Sequence, residues 1–164
     1  TDGQIYLESE LFFAGQRPAV NVGLSVSRVG GAAQTKAMKK AAGSIRIDLA
    51  QYREMEVFTQ FSSDLDAATK EQLEYGSGLM ELLKQPLGHP MSMHEMVITL
   101  CAARNKVLLG IPVKEVKKFQ MDMLNYFATV HPEISEEIEQ TKALSDELAA
   151  KIVETAKEFK DSRC

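Results

Sequence analysis

Val22-Gly23-Leu24-Ser25-Val26-Ser27-Arg28-Val29-Gly30-Gly31-Ala32-Ala33-Gln34-Thr35 is the stretch in which the hydrophobic period switches. Before it, Val20, Val22, Leu24 and Val26 alternate at period two, which predicts extended strand over Pro18 to Val29. After Gly31, Met38, Ala41, Ala42, Ile45, Leu49, Tyr52 and Met55 recur three or four apart, the stripe of an amphipathic helix. Arg28 sits at the join, among small residues and glycines. A guanidinium is a planar fork of fixed charge that suits phosphate oxygens, and a helix N-terminus beside it favours an anion. The segment reads as a strand that delivers Arg28 to a phosphate; the plainer alternative is a salt bridge across the domain.

Working outward, Gln4-Ile5-Tyr6-Leu7 reads as a second strand and Glu8–Phe13 as a helical turn closed by Gly15. So short a β segment cannot build a sheet with its own core. Together with the opening at Thr1, which has no initiating Met, this leads us to expect a piece of a longer protein.

Downstream, the stripe predicts one long helix to about Phe61, loosened at Gly43. Ser62-Ser63-Asp64 reads as a loop, with Asp64 or Asp66 capping the next helix and Gly76 ending it. A shorter helix carries Leu79, Leu82 and Leu83, and Gln85-Pro86-Leu87-Gly88-His89-Pro90 must be a loop. Ser92 and Glu95 form a capping-box pattern for a helix to about Leu109. Pro112 suits the first turn of a helix through Val130, Pro132 starts another, and Ser145 caps a last one to about Lys160. The expected fold is mainly α: a C-terminal helical bundle of five to six helices, preceded by a short β-rich remnant of an α/β nucleotide-binding domain.

The bulk numbers bound the function. With 164 residues, 45% of them hydrophobic, a sizeable core is within reach. A net charge of −4 and no basic cluster argue against nucleic acid; Lys114, Lys117 and Lys118 lie among mixed charges and read as a solvated helix face. The longest apolar run, Met96 to Ala103, is far below the roughly 20 residues of a membrane span, and no secretory leader opens the sequence. Cys101 and Cys164 suggest no disulfide framework, and Cys101 reads as buried and inert.

Chemical motifs are few. No G-x-x-x-x-G-K-[ST] loop is present, so this sequence is not expected to hold a nucleoside triphosphate unaided. Gly23-Leu24-Ser25-Val26-Ser27 approaches a nucleophile elbow but ends in serine and has no His–acid pair. His89, His94 and His131 have no metal-ligand spacing with either cysteine, so no metal site is expected.

Thr1-Asp2-Gly3-Gln4-Ile5, Arg17-Pro18-Ala19-Val20-Asn21-Val22-Gly23-Leu24-Ser25-Val26-Ser27-Arg28-Val29-Gly30, Ala50-Gln51-Tyr52-Arg53-Glu54, Gln60-Phe61-Ser62-Ser63-Asp64-Leu65-Asp66-Ala67-Ala68-Thr69 and Glu81-Leu82-Leu83-Lys84-Gln85 follow one another in order. Together they resemble the α subunit of F-type ATP synthases, from late in its nucleotide-binding domain through its C-terminus. The resemblance is dense over residues 1–90 and follows pattern alone thereafter. It implies residues 1–34 as the incomplete edge of the nucleotide-binding domain and residues 35–164 as the C-terminal helical domain.

It also implies roles. Arg28 matches the arginine that the family's α subunit inserts into the neighbouring β subunit's catalytic site. Val26, on the same strand face, would line that interface, or simply pack its strand. Arg17, Pro18 and Gln85 match residues beside the base in the α subunit's own non-catalytic nucleotide site. There the family has a second glutamine two residues after Gln85, and this sequence has Leu87, which cannot hydrogen-bond an adenine edge. Asp64 and Asp66 fall in a loop that faces the rotating stalk in the family; helix capping explains them equally.

The implied setting is a proton- or sodium-translocating rotary ATP synthase. Its nucleotides are ATP and ADP with Mg in the intact subunit, none being bound by residues 1–164 alone. The implied partners are β subunits in a hexameric α/β ring, the central-stalk γ subunit and the peripheral stalk. The location is peripheral, on the cytoplasmic face of a bacterial inner membrane or the matrix or stromal face of an organelle. The competing reading is a helical interaction module of a related ring ATPase or an assembly factor without a catalytic role.

Overall fold

The computed structural model describes residues 2–59 and 65–163. Two short helices, α1 (Ser9–Phe13) and α2 (Arg28–Ala33), lie in the N-terminal segment. The rest is α3 (Lys36–Ala42), α4 (Ile45–Thr59), α5 (Ala67–Leu82), α6 (Met93–Arg104), a 3-10 turn at Val113–Glu115, α7 (Val116–Val130), α8 (Pro132–Thr141) and α9 (Asp146–Asp161). The mainly α expectation holds.

The centre of the bundle is α6, which touches α3, α7, α8 and α9. Its apolar run makes this possible, because Val97, Ile98, Cys101, Ala102 and Ala103 are all buried. Phe127 and Met123 of α7, Ile134 and Ile138 of α8, Ile152 of α9 and Leu79 of α5 close around it. Two buried polar groups in this interior pair with each other: Gln120 Nε2 donates to Thr99 Oγ1 at 3.4 Å. That satisfaction matters, since an unpaired buried amide costs more than its hydrogen bond returns.

Start signals behave as their chemistry predicts. Thr35, Asp66, Ser92 and Ser145 each accept a hydrogen bond from the backbone three residues on. Ser92 and Glu95 form the reciprocal capping box, and Pro132 occupies the first turn of α8.

Four local expectations need correction. Strand pairing at 4–7 and 18–29 reduces to one isolated antiparallel bridge, Leu7 with Val20, and no strand forms among the described residues. The cause is Asn21, whose Oδ1 accepts from Leu24 N–H (3.1 Å) and whose carbonyl accepts from Ser25 N–H (3.0 Å). These bonds fold residues 21–25 into a turn, an alternative to the ladder that Asn offers readily.

The long helix divides at Gly43 into α3 and α4. Arg104 of α6 donates to the carbonyls of Lys40 and Ala41 and to Ser44 Oγ (2.9 Å), taking up acceptors a continuous helix would use itself. Gly76 does not end a helix but lies inside α5, which runs on to Leu82. Lastly, α6 stops at Arg104, and turns with left-handed Lys106 and Gly110 fill residues to the next element.

Candidate functional site

Arg28 stands at the first position of α2 and not at the end of a strand. Ser27 caps this helix, its Oγ accepting from Gly30 N–H at 2.8 Å and donating to Asp2 Oδ2 at 2.7 Å. The Asp2 carboxylate also accepts from Val29 N–H at 3.1 Å and lies 3.9 Å from Arg28 Nε. The Ser27 hydroxyl, then the Val29 amide, hold the Asp2 carboxyl below its usual range. Thus the helix-end N–H groups expected to face an anion are already engaged by Ser27 and Asp2. The guanidinium itself projects outward, with the Arg28 side chain 85% exposed.

The base under Arg28 is tightly fitted. A Cβ on Gly3 would lie 1.8 Å from the Val26 carbonyl oxygen, so only glycine allows the two backbones to pass. Val26 N–H donates to the Gln4 carbonyl at 3.0 Å, and the Val26 side chain remains exposed. Since α2 begins between them, Val26 and Arg28 do not share a strand face.

A second cluster forms where sequence-distant residues meet. Gln85 N–H donates to the Arg17 carbonyl at 2.9 Å, bringing Arg17, Pro18 and Gln85 together at the surface. The Arg17–Pro18 peptide bond is cis. The Arg17 guanidinium lies 4.1 Å from the centre of the Phe12 ring, a cation–π distance. Leu87, two residues beyond Gln85, is completely exposed.

Gln85 also rims a groove of 530 Å³ with Pro86, Met91, Lys117 and Leu124. Lys117 corrects its reading as a solvated residue: it is half-buried, and its Nζ donates to the Leu82 carbonyl (3.0 Å) and to Gln120 Oε1 (2.6 Å). Burial lowers its pKa. Lys118, in contrast, pairs with Asp122 on the surface.

Asp66 caps α5 through Thr69 N–H at 2.7 Å; the Thr69 side chain, then this backbone N–H, lowers the pKa of its carboxyl. Asp64 lies outside the described residues. His94 bonds Glu139 at 2.9 Å, linking α6 to α8, and His131 bonds Glu133 at 3.2 Å within the start of α8. Among the described residues no group of three or more His, Cys, Asp or Glu could hold a metal, and no helix is long and apolar enough to cross a membrane.

Sequence reasoning missed the residues that tie the Arg28 segment to the bundle. Arg53 of α4 donates to Asn21 Oδ1 at 2.8 Å, and Arg46, two turns earlier on the same helix, donates to the Gly23 carbonyl at 3.1 Å. The available signals were a buried-type asparagine interrupting an apolar alternation and two arginines seven apart.

The family model described as ATP synthase alpha/beta chain, C terminal domain, matches residues 34–159. Across 98% of its length the protein is 56% identical to the ATP synthase subunit alpha of Acetivibrio thermocellus, covering 32% of that protein. It is 52% identical to the ATP synthase subunit alpha of Clostridium kluyveri, again over 98% of its own length and 32% of the relative. The corresponding protein of Thermobifida fusca is also 52% identical, over 98% of this sequence and 29% of the relative. Residues 1–164 therefore span about a third of the length of the curated relatives they match.

Proposed function

The protein belongs to the ATP synthase alpha/beta family, matched through that family's C-terminal domain, and on that premise we propose that it works as the C-terminal part of a rotary ATP synthase α subunit. In this reading residues 1–34 are the edge of the nucleotide-binding domain and residues 35–164 the helical domain. The observation that carries the proposal is the contrast at Arg28: a backbone pinned by Asp2 and Ser27 beneath a side chain 85% exposed. A guanidinium so presented is available to a phosphate on another subunit.

In an α/β ring, Arg28 would reach the catalytic nucleotide site of the adjacent β subunit. Its fork offers two parallel N–H donors to phosphoryl oxygens as negative charge builds on them. Such trans-acting arginines change rates by roughly 10³–10⁵. The ATP or ADP and its Mg at that site are the partner's substrate, and residues 1–164 alone are not expected to turn over ATP. Exposed Val26 would lie against the same partner.

Arg17, Pro18 and Gln85 would flank the base in the subunit's own non-catalytic site. Their meeting across the Gln85–Arg17 hydrogen bond supports this assignment. Leu87 offers apolar surface and no hydrogen bond, so this pocket should discriminate weakly between adenine and guanine. Asp64 and Asp66 would face the γ subunit, with Asp66 also capping α5. The assembly would sit peripherally on an energy-coupling membrane.

The test is Arg28→Lys in the full-length subunit assembled with β and γ subunits. Lysine keeps the charge and loses the fork. ATP turnover should fall by roughly a thousandfold with nucleotide affinity and ring assembly retained; near-normal turnover would refute the trans role.

A further inference from the structure

Arg28 is held from two directions. From below, Asp2 and Gly3 fix the start of α2. From the bundle, α4 grips the turn that precedes it. Asn21 is the centre of that grip. It is buried to 4% exposure, and its side-chain oxygen accepts from both Arg53 Nη1 (2.8 Å) and Leu24 N–H (3.1 Å). Its Nδ2 donates to Glu8 Oε1 at 2.6 Å, and its carbonyl accepts from Ser25 Oγ at 2.6 Å. Ser25 Oγ in turn accepts from Tyr6 N–H at 3.0 Å. Arg53 enters this set through the Asn21 side chain alone, and the remaining bonds carry that hold on to Leu24 and Ser25, just ahead of Ser27 and Arg28, and to Tyr6 and Glu8 of the segment running beside them.

Arg46 adds a second hold at Gly23. The two arginines are seven apart on α4, hence on one face of the helix. Between the helix and the turn lies a cavity of 190 Å³ lined by Val20, Val22, Leu49, Met80 and Leu83. Val22 of the turn packs against the core beside this cavity, and the hydrogen bonds from Arg53 and Arg46 add direction to the spacing between α4 and the turn.

We propose that Arg53, with Arg46, is a positioning residue for Arg28: α4 sets where the 21–25 turn sits, and so where the guanidinium is presented to the partner's phosphate. This rests on the trans-acting reading of Arg28. A displaced fork loses catalysis without losing substrate, since misplacement of a reacting group by about 1 Å can cost roughly 10²-fold in rate.

The experiment uses rings assembled from full-length subunits carrying Arg53→Met, which retains bulk and removes the donors. The expected result is a kcat reduced by roughly tenfold or more at unchanged KM, with faster amide exchange at Leu24, Ser25 and Val26. Combined with Arg28→Lys, the second loss should largely disappear, because both changes act on one interaction. Asn21→Ala should reproduce the pattern. If Arg53→Met does not assemble, exposed Arg46→Met carries the same test with a smaller loss of kcat.

Wild-type kcat in assembled Arg53→Met rings, or a loss fully additive with Arg28→Lys, overturns the proposal while leaving the role of Arg28 intact. Normal turnover in Arg28→Lys alone overturns both.

Discussion

Gly76 faces the ring of Tyr52 so closely that an added Cβ would lie 2.2 Å from Cδ2 and 2.3 Å from Cγ. In an open helix interior, Gly→Ala gains about 1 kcal/mol of propensity. Here the methyl group would have to push α4 from α5, and overpacking costs about 1–3 kcal/mol. Gly76→Ala should therefore lower stability by about 1 kcal/mol net, read as a reduced urea midpoint with unchanged slope. Sequence pattern alone suggested a helix end at Gly76, because a glycine's local meaning is termination. Its tertiary meaning depends on Tyr52, which no local rule brings into view. Arg28 stood out for the opposite reason: a fixed charge among small residues is conspicuous in the sequence itself.

At the scale of elements, caps were the most legible features, since their chemistry is completed within three residues. Ser92 N–H donates to Glu95 Oε2 at 2.7 Å while Ser92 Oγ accepts from Glu95 N–H. Ser92→Ala should cost about 1 kcal/mol in chemical unfolding, the usual worth of an N-cap side chain. The break between α3 and α4 was only partly visible, since Gly43 marks a weak point but Arg104 on another helix makes the division.

The charge links of α8 give a pH dependence. Glu133 is held at about 2, first by Lys151 and then by backbone and His131. Glu139 is also held at about 2, by Lys142 and then His94. Both values lie below the ordinary 4.5, so the folded state prefers the ionised form. Their stabilisation is present above pH 4.5 and is lost as pH falls toward 2. The urea midpoint should drop across that window, and more gently in the Glu133→Gln/Glu139→Gln double variant; parallel curves would show that other groups govern acid unfolding. Because both carboxylates are exposed, added salt should weaken the effect.

For the molecule as a whole, the helical periodicity made the bundle readable, and Phe127, Ile134, Ile138 and Ile152 pack in the core around α6. The N-terminal segment was less so. Alternation in Val20, Val22 and Leu24 speaks for a strand, whereas Asn21 turns the backbone and α4 clasps the turn through Arg46 and Arg53. The pairing of Gln85 with Arg17 likewise depends on how α5 delivers its end to the segment.

In the assembled ring, Arg28 should meet the phosphoryl group in flight on a neighbouring subunit. Trapping ADP with a planar fluoride mimic of that group, in assembled rings, tests this directly, because transition-state mimics report contacts made only at the barrier. Native rings should retain the mimic at their catalytic sites. Arg28→Lys rings should bind ADP as tightly as native ones and fail to retain it. Equal retention by both would contradict the trans-acting role of Arg28.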